Sequence, residues 1–137
     1  MRPAAILETA LYVTDIEAAA RFYGGVLGLE CILRAGDESV FFRCGAGVLI
    51  LFDAEKLKAR PEGGLPIPSH GAIGPGHVCF RADRQEIARW KAHLEAEGIA
   101  IESEFDWPNG AHSLYFRDPS GNSIEFAEAA LWNTGTK

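Results

Sequence analysis

Two stretches of this chain, VFFRCGAGVLILF at Val40–Phe52 and LYFRDPSGNSIEF at Leu114–Phe126, are versions of one pattern. At an offset of 74 residues they share five of thirteen positions without a gap. The shared pairs are Phe42 with Phe116, Arg43 with Arg117, Gly47 with Gly121, Ile50 with Ile124, and Phe52 with Phe126. Each stretch contains two β-forming runs joined by a turn, which predicts a hairpin in each half of the chain. Leu51 lies opposite Glu125 in this alignment, so only one hairpin carries a carboxylate there.

The same order of elements precedes each hairpin. A segment that alternates apolar and polar residues comes first, then a helical run that ends at a glycine, then a further strand. The predicted elements before the hairpins are Ile6–Val13, a helix from Asp15 to Gly28, and Leu29–Arg34 in the first half, and His77–Ala82, Glu86–Glu97 and Ile99–Phe105 in the second. The predicted hairpin strands are Ser39–Arg43, Val48–Phe52, Ser113–Arg117 and Ser123–Ala127. The sequence therefore predicts an α+β fold of two tandem βαβββ modules.

We expect one domain over residues 1–137, with the first module at 5–53 and the second at 76–128. Residues 54–75 between them are rich in proline and glycine, which predicts a linker or a long functional loop. Residues 129–137 form a tail. A chain of 137 residues is a common size for a single domain and can bury a sizeable core.

The composition indicates which binding partners and which cellular compartment to expect. The chain has 13 basic and 19 acidic residues, a formal charge of -6, and no basic cluster, which disfavours nucleic acid and anionic membranes as partners. No apolar run approaches the length of a membrane-spanning helix, and no secretory signal is visible, so we expect a cytoplasmic protein. The three cysteines have no metal-binding spacing and are interpreted as reduced, structural residues.

Strand alternation places three potential metal ligands on corresponding faces. Ile124 and Phe126 form the apolar set that a helix would cover, so Glu125 points away from that helix. The same argument puts His77 and Glu8 on the faces away from the helices. An imidazole and two carboxylates suit a divalent metal ion, since an unpaired buried carboxylate is costly. Three protein ligands also leave positions open for water or substrate, as in catalytic sites.

Simpler interpretations exist for the same residues. Histidine and glutamate are common in any chain of this length, and Glu8 also fits a solvated strand residue. His70, in the glycine-rich end of the linker, is a candidate acid or base, with a solvated loop histidine as the alternative. An interaction module without a site would instead fill the face away from the helices with apolar side chains.

Four further side chains are candidates for substrate binding. Arg43 and Arg117, which the repeat matches, suit an anionic substrate, although arginines near turns more often form structural ion pairs. Trp107 would close one edge of a pocket or pack on the hairpin. Tyr115 would line a mixed polar and aromatic cavity.

Three strings of this sequence resemble the vicinal oxygen chelate superfamily: LYVTDIEAAARFYGGVLGLE, GHVCFRA and YFRDPSGNSIEF. This superfamily contains glyoxalase I, bleomycin and fosfomycin resistance proteins, methylmalonyl-CoA epimerase and extradiol dioxygenases. The resemblance covers about residues 5 to 128. It implies that the modules form a cupped mixed sheet, with the helices on its outer face, around a divalent metal ion. It also implies that the cup is completed within one chain or across a homodimer.

The resemblance implies specific roles. His77 and Glu125 match metal ligands, and Glu8 stands where most members carry His or Gln. Independently of the resemblance, the linker position makes His70 a candidate catalytic residue beside Glu125. A fourth ligand position falls on Leu51, which counts against a glyoxalase I or epimerase mechanism. The implied function is a lyase, isomerase or dioxygenase that acts on a small oxygen-chelating substrate with Mn, Fe(II), Zn, Ni or Mg. The alternative is a metal-free, bleomycin-resistance-like protein that binds a small molecule.

Overall fold

Two four-stranded sheets contain all the strands in the part of the chain that the structure describes, residues 1–59 and 63–132. In this computed structural model residues 1–76 form one unit and residues 77–137 form another. Each sheet combines one parallel pair of strands with two antiparallel pairs. The predicted α+β class with two βαβββ modules is confirmed. No helix among the described residues is long and apolar enough to cross a membrane.

The first unit follows the order predicted for its module. Its elements are β1 (Glu8–Val13), α1 (Ile16–Ala20), a π-helical stretch (Arg21–Val26), β2 (Glu30–Ala35), β3 (Ser39–Cys44), β4 (Gly47–Asp53) and α2 (Ala54–Lys58). Asp15 begins α1, because its carboxylate accepts a hydrogen bond from the Ala18 amide at 3.0 Å. The strands lie in the order β1-β4-β3-β2, with β1 parallel to β4.

Helix α2 lies in the segment that we predicted as a linker without secondary structure. The Asp53 carboxylate caps it, accepting hydrogen bonds from the amides of Glu55 and Lys56. All the prolines and glycines of the predicted linker follow Lys58. The charged residues at the start of the linker can therefore form a helical turn, because no helix-breaking residue lies among them. Residues 60–62 of the same segment lie outside the described residues.

The second unit repeats the arrangement with a longer helix. Its elements are β5 (His77–Arg81), α3 (Arg84–Ala96), β6 (Ser103–Asp106), β7 (His112–Arg117), β8 (Ser123–Ala127) and a 3₁₀ turn (Ala129–Trp132). Asp83 and Glu86 form a reciprocal capping box at the start of α3. The strands lie in the order β5-β8-β7-β6, so β8 is central. Of the predicted tail, residues 133–137 lie outside the described residues.

The helix of each unit covers one face of its own sheet. In the first unit the buried Tyr23 ring lies 6.1 Å from the ring of Phe42, which pairs with Leu49 across the sheet. In the second unit Phe126 stacks on Trp90 of α3, with ring centroids 4.7 Å apart. Burying side chains of this size contributes about 1.5–3 kcal/mol each to folding.

The hairpin turns of the two units differ in length by one residue. In the first unit Arg43 pairs with Val48, with four residues between them. In the second unit Arg117 pairs with Ser123, with five residues between them. The strands that follow these turns are therefore shifted by one position relative to the gapless alignment of the two stretches.

This shift corrects one sequence-based expectation. Ile50, rather than Leu51, occupies the sheet position of Glu125, and Leu51 occupies that of Phe126. Ile50 and Phe52 therefore lie on the face away from α1, where they pack with Leu57 of α2. The gapless alignment pairs these two residues with Ile124 and Phe126, which face the helix, so the equivalence it predicts was wrong. A gapless alignment cannot register a single extra turn residue, although such a residue moves every following side chain to the other face.

Asp118 fixes the longer turn. One of its carboxylate oxygens accepts hydrogen bonds from the amides of Ser120 and Asn122 at 2.9 and 2.8 Å, and the other accepts one from the Asn122 side-chain amide at 2.9 Å. Gly121 has a φ of 85°, which a residue with a side chain rarely adopts. The turn therefore sets the register of β8.

We expect Asp118→Ala to lower the free energy of unfolding by about 1–3 kcal/mol, because it leaves buried donors without an acceptor. The midpoint of urea unfolding measures the loss. Asp37→Ala, at an exposed aspartate of the first unit, is the control and should cost less. Equal losses in the two variants would contradict the role given to the turn.

Candidate metal centre

Glu125 is a buried carboxylate on the central strand of the second sheet. Its side chain is 6% exposed and points away from α3. The predicted orientation follows from the burial of its neighbours Ile124 and Phe126 on the other face, against Phe116 and Trp90. A buried carboxylate is stable only where donors or cations compensate its charge.

His77 begins β5 and contacts this carboxylate. Its Nε2 atom lies 3.2 Å from Oε2 of Glu125, and its Nδ1 atom lies 3.0 Å from the carbonyl oxygen of Ser123. A carbonyl only accepts, so Nδ1 carries a hydrogen, and a neutral ring then turns the Nε2 lone pair towards the carboxylate. That approach is favourable only with a proton or a metal cation at the site. Metal-binding histidines typically have their second nitrogen anchored in this way.

Tyr115 and Cys79 flank Glu125 on the neighbouring strands. Desolvation, followed by a hydrogen bond to Glu125, raises the pKa of Tyr115 to about 12. Part of Cys79 reaches solvent, yet desolvation of its thiol and then the charge of Glu125 raise its pKa to about 12. Both groups therefore keep their protons at neutral pH, so neither places a second negative charge beside the carboxylate.

Ser113 is a site residue that the sequence analysis missed. Its hydroxyl is 2.7 Å from Oε1 of Glu125, and the Trp107 indole nitrogen is 2.8 Å from the same hydroxyl. The available signal was alternation along β7, which puts Ser113 and Tyr115 on one face. Trp107, predicted as a substrate contact, thus reaches the carboxylate through this serine.

Aromatic rings continue from His77 along the same sheet face. The Tyr115 ring stacks on that of His77, with centroids 6.2 Å apart, and on that of Phe105 at 5.9 Å. Phe105 in turn contacts Trp107 at 4.8 Å. His77 is more exposed to solvent than Glu125, because 49% of its side chain is accessible and only 6% of the Glu125 side chain is.

Glu8 occupies in the first unit the position of His77 in the second. Glu8 pairs with Val48 as His77 pairs with Ser123, so the two residues are equivalent in the repeat. Glu8 is exposed and lies on the sheet face away from α1. Among residues 1–59 and 63–132, no group of three or more His, Cys, Asp and Glu side chains is arranged to hold a metal ion. The role of Glu8 as a ligand stays a prediction.

His70 belongs to an aromatic group on the first unit. Its Nδ1 atom is 2.5 Å from the Tyr12 hydroxyl, and its ring meets the Phe52 ring edge-on at 4.7 Å. Ile50 and Phe41 lie on the same face of this sheet. The first unit therefore presents apolar and aromatic side chains where the second presents a carboxylate, and a catalytic role for His70 stays a prediction.

The two arginines of the repeat both lie at the end of a strand next to a hairpin turn. Arg117 forms a two-point ion pair with Glu102, at 2.6 and 2.9 Å, and donates to the carbonyl of Gly121 at 3.0 Å. Arg43 is exposed and pairs with Val48 across the sheet. The contacts of Arg117 favour its structural interpretation over substrate binding.

Comparison with known proteins identifies the family. The model of the Glyoxalase/Bleomycin resistance protein/Dioxygenase superfamily matches residues 5–126. The chain belongs to this superfamily. A crystal structure of a lactoylglutathione lyase from Agrobacterium tumefaciens has 48% sequence identity and a TM-score of 0.91, covering 97% of this chain and 99% of that one. A glyoxalase/bleomycin resistance protein/dioxygenase from Nocardioides has 27% identity and a TM-score of 0.72, covering 100% and 88%.

Members of the superfamily typically use a divalent metal ion, bind small-molecule substrates and often form dimers. In this member, both positions that could correspond to a fourth ligand are apolar. Leu51 is the position in the gapless alignment, and Ile50 is the position that the sheet register makes equivalent to Glu125. The two units of this superfamily member are therefore chemically unequal at the centre of their sheets.

We expect Arg117→Gln to destabilise the protein near neutral pH and to lose this effect in acid. A hydrogen bond from Arg117 lowers the pKa of Glu102 below its ordinary value. A carboxyl group whose pKa is lower in the folded than in the unfolded protein stabilises the fold at any pH above its unfolded-state pKa. This contribution is lost as the pH falls through the lower, folded-state pKa. Urea midpoints of Arg117→Gln, Glu102→Gln and the double variant at several pH values measure the coupling. A deficit that persists unchanged in acid would show that Arg117 stabilises through another contact.

Proposed function

We propose that this protein is a divalent-metal-dependent enzyme of the lyase type that acts on a small substrate with neighbouring oxygen atoms. The contact between Nε2 of His77 and Oε2 of Glu125 carries the proposal, because the hydrogen bond from Nδ1 to Ser123 orients the ring. The 48% identity to a protein described as a lactoylglutathione lyase supports the lyase type.

The donor set fits a metal ion of intermediate hardness. One imidazole nitrogen and one carboxylate oxygen suit Mn, Fe(II), Zn or Ni, and carboxylates alone would favour Mg. Glu8 is the proposed third ligand. Bound there, the ion would supply a Lewis acid that stabilises negative charge on a substrate oxygen.

The chain's own residues have separate roles in this proposal. Tyr115 keeps its proton at neutral pH, since its pKa is raised to about 12, and places an uncharged hydroxyl beside Glu125. The rings of His77, Tyr115 and Phe105 stack in series on the sheet face that carries Glu125. Glu125 and His70 remain the proposed acid–base candidates.

One feature limits how far the relative's activity transfers. Superfamily members with a glyoxalase or epimerase mechanism are expected to need a fourth ligand, and this chain has Ile50 and Leu51 at the two corresponding positions. We therefore propose the metal-dependent lyase class, with lactoylglutathione as the first compound to assay.

The second candidate is a metal-free protein that binds an aromatic small molecule. The apolar face of the first unit favours it, since Ile50 and Phe52 pack there with Tyr12 and Phe41 on the side that carries Glu125 in the second unit. Tyr12 and Phe41, which are only partly buried there, provide area for an apolar ligand without providing a metal ligand.

Metal content separates the two candidates. We expect protein purified without chelator to contain roughly one divalent ion per chain, and His77→Gln and Glu125→Gln to lose it, as measured by elemental analysis. His93→Gln, at a histidine on α3, is the matched control and should keep the metal. Glu8→Ala in the same series tests the third ligand.

Interconversion of lactoylglutathione with glutathione and a three-carbon 2-oxoaldehyde by the wild-type protein, without uptake of water and lost together with the metal, would support the lyase type. A wild-type protein that binds no metal, together with quenching of its tryptophan fluorescence by aromatic compounds, would instead establish the metal-free candidate. Metal retained in both His77→Gln and Glu125→Gln would place the ion elsewhere.

A further inference from the structure

The hydrogen bonds behind Glu125 run in one direction only. The indole nitrogen of Trp107 can donate but cannot accept, so at 2.8 Å it donates to the Ser113 hydroxyl. The single hydrogen of that hydroxyl then points to Oε1 of Glu125, at 2.7 Å. The direction from Trp107 through Ser113 to Glu125 therefore follows from the chemistry of the groups.

The surrounding chain holds both donors in place. Ser113 is fully buried on β7. The amide of Trp107 donates to the carbonyl of Ala111 at 2.8 Å, and its carbonyl accepts from the amide of Gly110 at the same distance. The indole also packs on the Phe105 ring. The position of the indole N–H is thus set by a closed turn as well as by ring packing.

The two oxygens of Glu125 consequently have different surroundings. Oε1 receives the Ser113 hydrogen, whereas Oε2 is the oxygen that faces Nε2 of His77. A carboxylate without this restraint would rotate and present either oxygen, or both, to a cation. The restraint selects one oxygen and one orientation.

We propose that Trp107 and Ser113 are positioning residues that reserve Oε1 of Glu125 and present Oε2 alone as the metal-binding atom. This inference rests on the proposed metal-dependent function. It reassigns Trp107, which the sequence presented as a substrate contact, and it adds Ser113. Hydrogen-bond partners of metal ligands of this kind fix the ligand geometry and tune its affinity.

Binding of Mn²⁺ to the metal-depleted full-length protein tests the proposal without reference to catalysis. We expect Ser113→Ala to weaken Mn²⁺ binding by roughly 10- to 100-fold and Trp107→Phe to weaken it by a smaller factor. Ser113→Thr keeps the hydroxyl and should restore most of the affinity. Ser103→Ala, at an exposed serine on β6, is the matched control and should bind like the wild type.

Electron paramagnetic resonance reports both the bound fraction and the coordination of Mn²⁺. A spectrum that changes in Ser113→Ala and Trp107→Phe, and returns in Ser113→Thr, supports the positioning role, because a merely structural role would alter only the melting temperature. Wild-type affinity and an unchanged spectrum in folded Trp107→Phe and Ser113→Ala would overturn the inference and leave the proposed function standing. A wild-type protein that binds no divalent metal would overturn both.

Discussion

A charged carboxylate buried at the centre of a sheet is the constraint on which the second unit depends. Removing Glu125 from water is costly unless each oxygen finds a donor or a cation. Ser113 supplies a hydrogen bond to Oε1, Tyr115 and Cys79 stay uncharged beside the carboxylate, and His77 faces Oε2. These partners come from β5 and β7, the two neighbours of β8, so the strand order itself assembles them.

The same scaffold in the first unit has no such requirement. Ile50 takes the place of Glu125, and the residues around it are apolar or aromatic. The residues around Ile50 need only shield it from water. Leu57 of the short helix α2 provides part of this shielding. The two units are duplicates that differ at this central position. The second sheet therefore has a carboxylate at its centre, and the first sheet has an apolar side chain there.

Local sequence signals predicted most elements because their causes are local. The capping carboxylates of Asp15 and Asp83, the glycines at turns and the alternation of apolar residues each act within a few residues. The prediction missed α2, because the prolines and glycines that follow it led us to interpret the whole segment as a linker. It also did not include the π-helical stretch after α1. It also extended β6 too far towards its start, because apolar residues before Ser103 resemble a strand without pairing in one.

The sequence by itself determined the duplicated βαβββ order and the orientation of Glu125 and His77, because capping residues, turn residues and alternation along a strand all act locally. The family followed from the resemblance of three sequence strings. Only the tertiary structure decided which residue of the first unit corresponds to Glu125, since one extra residue in a turn reverses every face that follows it. Only the tertiary structure brought Ser113 and Trp107 to the carboxylate as well. Their hydrogen bonds join residues of a turn and of two strands, and no pattern within one segment specifies distances between segments.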